Sequence, residues 1–329
     1  MIFYYFILSH LFDIIYMVIY VIDIIIPCFN SYETLSRTLS SICLQNTKDL
    51  INVYLVNDYS DSDYKFYVDF FSNFINIKEL RLECNLGPGC AREYGLLNSN
   101  GKYIMFIDSD DYLYSYDSVS SLYKKIVSGD YDVVISNFLY CRDNKRIVKK
   151  KNKIWLHGKM YKRSFIENNN IYFNNTRKNE DNGFNRLVFL LTDNIYNLDV
   201  VTYVYYDYPF SITRNNNREY RYTGLRGYVY NMCWAMRKSL IRGVNNKDVT
   251  LLAMGVIVDM YYYYLELYNE FDVDKIFTWT SPLKNYLIDK EVVNDYYYKI
   301  FLDLKRGDYF SFDNNVDEVI SFNEFLSKI

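Results

Sequence analysis

Acidic side chains follow directly after a short apolar run in the first third of the chain. The run covers residues 103–107, and Asp108, Ser109, Asp110 and Asp111 come next. An apolar run of this length, bounded by turn residues, predicts a strand buried on both faces of a sheet. Three neighbouring carboxylates repel one another, so they favour a hard cation such as Mg²⁺ or Mn²⁺. The alternative is an Asp-rich turn that caps the following helix.

Strand and helix patterns alternate up to about residue 140. Apolar runs predict further strands, and helical spacing of apolar residues separates them. This alternation is typical of a doubly wound α/β domain with a mostly parallel sheet. Pro27 is expected to end the first strand, because proline cannot continue a central strand. The predicted strands are 21–26, 51–56, 77–82 and 131–138, and the predicted helices are 35–43, 64–74, 90–97 and 116–127.

Polar residues stand where three of these strands end, namely Asn30, Asp58 and the acids of 108–111. Ligands of open α/β sheets bind at the carboxyl ends of the strands, so this placement predicts a nucleotide site. Neither a G-x-G-x-x-G sequence after the first strand nor a P-loop sequence is present. A diphosphate would therefore be held by a metal ion and basic side chains.

The composition narrows the class of protein. The 329 residues suffice for one large domain with an appendage or for two domains. A net charge of −3 argues against a general nucleic-acid binder. Six cysteines without C-x-x-C spacing indicate a reduced, cytosolic setting. The 38 tyrosines reflect either an AT-rich genome or stacking surfaces for sugars.

Residues 1–20 form an apolar N-terminal extension. Ser9, His10 and Asp13 interrupt it, and it lacks the basic segment and cleavage site of a signal peptide. An Asp near the centre of a spanning helix costs about 2.5–3.5 kcal/mol. We therefore expect an amphipathic or buried segment that the catalytic fold does not need.

The last third of the chain is predicted to be helical and carries a local excess of positive charge. Helical patterns cover residues 228–240, 251–268 and 294–304. Seven basic residues face one acid, Glu219, between positions 214 and 243, which predicts an anionic membrane surface or polymer as partner. Alternatively, the aromatic side packs on the rest of the protein and the basic side chains are only solvated. The basic residues are Arg214, Arg218, Arg221, Arg226, Arg237, Lys238 and Arg242.

Four motifs occur in the order and spacing of one enzyme family. They are IIIPCFN at 24–30, LVNDYSDSD at 55–63, Asn85-x-Gly87-x-x-x-Ala91-Arg92 and IDSDD at 107–111. Over about residues 20–215 the chain resembles the family-2 inverting glycosyltransferases of the GT-A fold. The segment 157–166 and the pair at 180–181 resemble that family's acceptor-side motifs.

This resemblance implies a donor-binding set of side chains. Asp58 would bind the base or ribose of the nucleotide, and the backbone near Pro27 and Asn30 would form one wall of the pocket. Arg92 would approach the diphosphate, a role that suits its forked guanidinium. Two further residues are assigned to the same donor-binding set, Glu33 and Ser109.

The resemblance also implies a metal site and a base. Asp108 would contact ribose and metal, and Asp110 would be the main ligand of Mn²⁺ or Mg²⁺. Asp181, with its neighbour Glu180, would take the proton of the acceptor hydroxyl. Acids at a helix start can also simply complement the helix dipole. His157 is either a further metal ligand or a residue of the acceptor side or the packing.

We therefore expect a hexosyltransferase that moves a sugar from a nucleoside diphosphate, most simply UDP, to a hydroxyl of a glycan, glycolipid or anionic polymer. The resemblance implies single displacement with inversion and a role in polysaccharide biosynthesis. The cysteine spacing and the basic residues of 214–243 predict a cytoplasmic location with contact to the inner face of the membrane. The competing hypotheses are a non-catalytic sugar-binding module and a sugar nucleotidyltransferase, whose glycine- and Lys/Arg-rich loop is missing. The expected domains are 21–215, with nucleotide-binding 21–111 and acceptor side 112–215, and a helical region 216–329.

Three positions depart from the family pattern. Glu93 stands where Asn is frequent, Cys28 where Val or Ala is usual, and Tyr59 where Gly is common. None of these departures removes a charged side chain to which the resemblance assigns a role.

Overall fold

A computed structural model describes residues 21–142, 145–149, 153–207, 218–267, 272–295 and 321–329. These residues form two compact units. The sheet unit consists of residues 21–142, 145–149, 156–170 and 194–207. The helical unit consists of residues 153–155, 171–193 and the described residues from 218 onward. The apolar extension 1–20 and the expected domain boundary at 215 lie outside the described residues, so both stay predictions.

A single mixed sheet organises the sheet unit. In the described part of the chain, its order is β3-β2-β1-β4-β8-β6-β9-β5, with β7 paired to β6. The run β3-β2-β1-β4 is parallel, β8 enters antiparallel to both of its neighbours, and β6 and β9 are parallel. The strands are β1 Ile22–Cys28, β2 Ile51–Asn57, β3 Asn76–Arg81, β4 Tyr103–Phe106, β5 Tyr112–Leu113, β6 Val133–Arg142, β7 Lys145–Lys149, β8 Lys159–Lys162 and β9 Ile195–Tyr206.

Helices pack on both faces of this sheet, which confirms the α/β alternation predicted from the sequence. Ile24 of β1 belongs to the same core as Leu35 and Leu39 of the first helix. Ile25 points to the other face, since side chains alternate along a strand, and there it meets Gly95 of the third helix. The helices of the sheet unit are α1 Leu35–Cys43, α2 Lys65–Phe71, α3 Pro88–Leu97, α4 Ser118–Ser128 and α5 Arg163–Asn168.

Pro27 does not end the first strand, so that prediction was wrong. β1 continues through Pro27, which pairs with Val56 of β2, to Cys28. On the other side of β1, the pairing with β4 ends at Ile25 and Phe106. Proline is tolerated at this point because the strand behaves as an edge there.

The helical unit has a core of its own, which the predicted helices 228–240 and 251–268 supply. Met232 and Met236 pack with Ile257, Met260 and Phe325. None of the helices in the described ranges is long and apolar enough to cross a membrane. The helices are α6 Glu180–Leu191, α7 Arg218–Ile241, α8 Asn246–Leu267, α9 Val273–Thr280 and α10 Phe322–Lys328. The predicted helix 294–304 lies almost wholly outside the described residues.

Candidate active site

The carboxyl ends of the parallel strands bring the predicted polar residues to one edge of the sheet. The N–H of Asp58, after β2, donates to the carbonyl of Cys28 at the end of β1, at 2.8 Å. The N–H of Ile107, after β4, donates to the carbonyl of Ile25, at 3.2 Å. The loops that follow β1, β2 and β4 therefore adjoin, as the strand pattern predicted.

Asp58 connects two of the loops at this edge. Its buried carboxylate accepts hydrogen bonds from the N–H groups of Leu86 and Gly87, at 2.7 and 2.8 Å. Asn85 donates from its side chain to the Asp58 carbonyl at 3.1 Å. Gly87 has φ +92°, a conformation that glycine adopts without strain. The motif from Asn85 to Arg92 thus holds the start of α3 against the end of β2.

The loops after β1 and β2 are also joined to each other. The side-chain amide of Asn30 donates to the Asp61 carboxylate at 3.1 Å, and its oxygen accepts from the Asp61 N–H at 2.9 Å. Tyr59 has φ +62°, which explains why glycine is common at this position in the resembling family. Pro27 is half-buried beneath these loops, and Glu33 is exposed in the turn before α1.

Two side chains of helix α1 hold the acidic loop by hydrogen bonds to the backbone carbonyls of that loop. Arg37 donates to the carbonyl of Asp110 at 2.6 Å. Thr38 donates to the carbonyls of Ser109 and Asp111, at 3.0 and 2.6 Å. These hydrogen bonds fix the course of the loop backbone and thereby help to position its side chains.

Arg92 binds the first carboxylate of the loop. The buried guanidinium of Arg92 lies 2.6 Å from Oδ1 of Asp108, which is partly exposed. Burial alone would raise the pKa of Asp108, but the charge of Arg92 and contact with His157 hold this pKa below its ordinary value. Asp108 is therefore ionised at neutral pH, next to a fixed positive charge.

Asp108, Asp111 and His157 converge into one cluster. One donor atom from each lies within 4.8 Å of the other two. Nε2 of His157 is 3.8 Å from Asp108 and 3.7 Å from Asp111. The imidazole stacks on the rings of Tyr203 and Tyr205, with centroids 4.9 and 5.0 Å apart. Packing on β9 thus fixes the orientation of the imidazole.

Burial and neighbouring carboxylates disfavour the ionised forms of Asp110 and Asp111. Asp111 is fully buried and accepts hydrogen bonds from Tyr203 and from the N–H of Tyr206, at 2.7 and 2.8 Å. Burial and the charges of Asp110 and Asp108 nevertheless raise the pKa of Asp111 well above its ordinary value. Burial and the charge of Asp108 raise the pKa of Asp110 to about 6.

These residues fit a divalent metal ion. Carboxylate oxygens and one imidazole nitrogen suit Mn²⁺ and also Mg²⁺, at metal–ligand distances of about 2.1 Å. Of the predicted metal set, Asp108 belongs to this cluster and Asp110 does not; the other members are Asp111 and His157, which was named above as an alternative ligand. The sequence offered a signal for Asp111, which extends the same acidic run, but only a general one for His157.

Glu180 and Asp181 form the first turn of α6 in the helical unit. Asn179, just before them, has φ +62° and donates from its side chain to the carbonyl of Gly224 in α7, at 3.0 Å. Oδ1 of Asp181 accepts from the N–H of Asn182 at 2.7 Å, and Glu180 is buried. α7 thus anchors the backbone that carries both acids.

The comparison with protein families decides the class of the domain. Residues 23–179 match the model of glycosyl transferase family 2. This segment of the chain is therefore similar to a family-2 glycosyltransferase domain. The solved structure of S. aureus TarS 1–349 in complex with UDP-GlcNAc aligns with 92% of this chain and 97% of its own length. The TM-score is 0.68 at 18% identity, so the likeness shows the fold, which is the predicted GT-A fold with a helical C-terminal region.

Two curated relatives match shorter segments. Glycosyltransferase GlyA of Streptococcus pneumoniae serotype 4 is 36% identical over 118 residues, which are 36% of this chain. TarS of Staphylococcus aureus strain Mu50, a poly(ribitol-phosphate) β-N-acetylglucosaminyltransferase, is 33% identical over 93 residues, which are 28% of this chain. The matched segment spans 16% of each of these two proteins.

Proposed function

We propose that this glycosyltransferase transfers a sugar from UDP to a hydroxyl group of a polymeric or lipid-linked acceptor, with a divalent metal ion, in a single inverting displacement. The observation that carries the proposal is the cluster of Asp108, Asp111 and His157 beside Arg92. A fold shared with a UDP-GlcNAc-bound structure supports UDP as the nucleotide.

The donor would be bound at the carboxyl edge of the sheet. Asp108, Asp111 and His157 would hold Mn²⁺ or Mg²⁺, with Asp110 as a further candidate ligand. The bound ion would supply Lewis-acid stabilisation of the diphosphate. Arg92 adds a fixed positive charge that suits phosphate oxygens. The loops joined by Asp58 would form the wall around the nucleoside, with Pro27, Asn30, Glu33 and Ser109 in the predicted set.

Asp181 is the proposed general base. In the displacement, the acceptor oxygen forms a bond to the anomeric carbon while the bond from that carbon to the diphosphate oxygen breaks. The proton of the acceptor hydroxyl passes to the carboxylate of Asp181, which must come within hydrogen-bond reach. The N–H of Asn182 donates to Oδ1 of Asp181 and thereby helps to orient this carboxylate.

The names of the relatives suggest candidates for the class of acceptor. TarS acts on poly(ribitol-phosphate), so a cell-surface polymer is one candidate. A glycolipid is another, and peripheral contact with a membrane would then bring enzyme and acceptor together.

The proposal is tested by incubation with UDP-, GDP- and dTDP-sugars plus Mn²⁺. We expect release of UDP that requires metal and rises with added acceptor, and we expect Asp108→Asn to reduce it by at least about 10²-fold. Asp49→Asn, an exposed acid just before β2, is the control. Binding of UDP without release under any condition would favour a non-catalytic module. A requirement for sugar phosphate and nucleoside triphosphate would identify a nucleotidyltransferase.

A further inference from the structure

The helical unit contains a polar cleft in which no role has been assigned above. One compartment has a volume of about 360 Å³ and is lined by the start of α6, by α7 and by α8. A second compartment of about 860 Å³ shares Tyr228, Asp259 and Tyr262 with the first and extends along α6 past Arg186. Both volumes fall in the range of small-molecule sites, about 300–1,000 Å³.

The smaller compartment is lined by side chains that pair with hydroxyl groups. Asn179 and Asn182 offer amides, and Asp259 and Glu266 offer carboxylates. Tyr262 offers the apolar surface of its ring together with a polar hydroxyl group. None of the described residues that line this compartment is Lys or Arg. Two acids in the lining disfavour phosphate, whereas amides, acids and an aromatic ring together suit an uncharged sugar.

Two polar groups along the cleft lack partners. The side chain of Asn182 is 93% buried, since its exposed fraction is 7%, and its Oδ1 has no hydrogen-bond partner among the described residues. The buried Nε atom of Arg186 also has no hydrogen-bond partner among the described residues, and this partly buried residue lies four positions later on α6, on the same face of the helix. A buried polar group without a partner costs about 1–3 kcal/mol, so these groups indicate a ligand that pairs with them.

Asn182 is also adjacent to the proposed base. Its N–H donates to Oδ1 of Asp181 at 2.7 Å, so the cleft and that carboxylate share the first turn of α6. Tyr228 donates to Asp259 at 2.5 Å, which orients one carboxylate of the cleft. Arg221 binds Glu266 at 3.0 Å, which orients the other. The hydrogen-bonding groups are thus held in place before any ligand arrives.

We propose that this cleft binds an uncharged sugar unit of the acceptor, with Asn182, Asp259 and Tyr262 as the residues that recognise it. The assignment to the acceptor rests on the proposed glycosyl transfer and on Asp181 as base. The occupant is an uncharged glycan segment, in contrast to a phosphate-bearing polymer.

The test is direct binding, measured by ligand-observed NMR with chitotriose, cellotriose and maltotriose as uncharged probes and a ribitol-phosphate trimer as the charged probe. We expect at least one uncharged trisaccharide to bind. Asn182→Ala and Tyr262→Ala should each weaken this binding about tenfold or more, the size expected for a lost hydrogen bond or ring contact. Asp274→Asn, an exposed acid on α9, is the matched control and should bind like the wild type.

The affinity for UDP, measured by calorimetry on the same variants, separates this proposal from the proposed function. Unchanged UDP affinity with weakened trisaccharide binding supports the cleft. Wild-type trisaccharide binding in both folded variants overturns it, as does tighter binding of the ribitol-phosphate trimer or failure of all three sugars to bind. If the wild type does not bind UDP, the donor proposal is overturned, and the trisaccharide measurements alone decide whether the cleft binds a sugar.

Discussion

The sequence left the role of His157 open, whereas the structure places this residue beside Asp108 and Asp111. The acids of 108–111 are visible as one run in the sequence, and their place after a strand predicted their position at the edge of the sheet. His157 reaches them from a different part of the chain, through β9 and the rings of Tyr203 and Tyr205. Such a convergence depends on tertiary packing, so residue spacing alone left its role open.

We therefore predict that His157 contributes to metal affinity. His157→Gln should weaken the binding of Mn²⁺ in the presence of UDP about tenfold or more, because one of the three clustered donors is lost. Electron paramagnetic resonance of free Mn²⁺ measures this affinity. Tyr205→Phe keeps the stacked ring and is the control. Equal Mn²⁺ affinity in wild type and His157→Gln would remove the imidazole from the metal site.

The second prediction at the residue scale concerns Asp181. Asp181→Asn keeps the shape of the side chain but removes the proton acceptor, so turnover should fall by roughly 10²–10⁴-fold. The affinity for UDP, measured by calorimetry, should stay nearly unchanged. Asp274→Asn, an exposed acid on α9, is the matched control. An equal loss of UDP affinity in Asp181→Asn would transfer this residue from the acceptor side to the donor site.

At the scale of elements, α3 positions Arg92 by close contact with the sheet. A Cβ added at Gly95 would lie 2.5 Å from a methyl carbon of Ile25 and 3.0 Å from one of Val56. Gly95→Ala should therefore move α3 and destabilise the protein by about 1–3 kcal/mol. We expect a lower urea midpoint and weaker binding of UDP. Leu97→Ala, on the exposed side of α3, should change the midpoint little, and a wild-type midpoint for Gly95→Ala would contradict the close packing.

A buried ion pair at the opposite end of β1 was not predicted from the sequence. Arg163, at the start of α5, lies 2.9 Å from the buried carboxylate of Asp23. Arg163 also donates to the carbonyl of Leu96 at 3.1 Å, and the N–H of Gly101 donates to Asp23. The family resemblance assigned residues 157–166 to the acceptor side, but Arg163 itself holds the amino end of β1 to β4 and α3. A single Asp within an apolar run indicates a buried carboxylate, but the run does not show which basic residue pairs with it.

The second prediction at this scale is a double-mutant cycle on that pair. Arg163→Met leaves the Asp23 carboxylate buried beside an apolar group, so the free energy of unfolding should fall by about 3–5 kcal/mol. Asp23→Asn combined with Arg163→Met should cost less than the sum of the single changes, since no buried charge remains. Urea denaturation measures each term. Strictly additive costs would show that the two charges do not stabilise each other.

At the scale of the whole molecule, the fold likeness extends beyond the family match. The family model ends at residue 179, whereas the TarS structure aligns with 92% of the chain. The helical region contains no motif of the family, but the periodic spacing of its apolar residues was sufficient to predict its helices. The charge pattern of this region was less informative. Arg221 binds Glu266, and Lys238 lies over the ring of Tyr172, so part of the basic set has partners within the unit.

The remaining basic residues lead to a prediction about membranes. Arg226 and Arg237 are exposed on α7. Tyr230 follows Arg226 by 4 residues and Ile241 follows Arg237 by 4 residues, so each arginine has an exposed apolar side chain beside it on the same face of the helix. Arg214 lies outside the described residues. A face of this kind suits the headgroup region of an anionic bilayer, where each basic residue contributes about 1 kcal/mol. Arg226→Glu combined with Arg237→Glu should therefore weaken binding to anionic vesicles at least about tenfold.

Liposome co-sedimentation at low and high salt measures this binding, which should fall as salt is added because surface charges are screened. Lys275→Glu combined with Lys284→Glu, at two exposed basic residues of the same unit, changes the net charge equally and is the control. Residues 1–16 are tested both present and deleted, so that the apolar extension is separated from the face of α7. If the wild type ignores anionic vesicles at low salt in both forms, the arginines of α7 are solvated charges, and the acceptor reaches the enzyme without a membrane contact at this face.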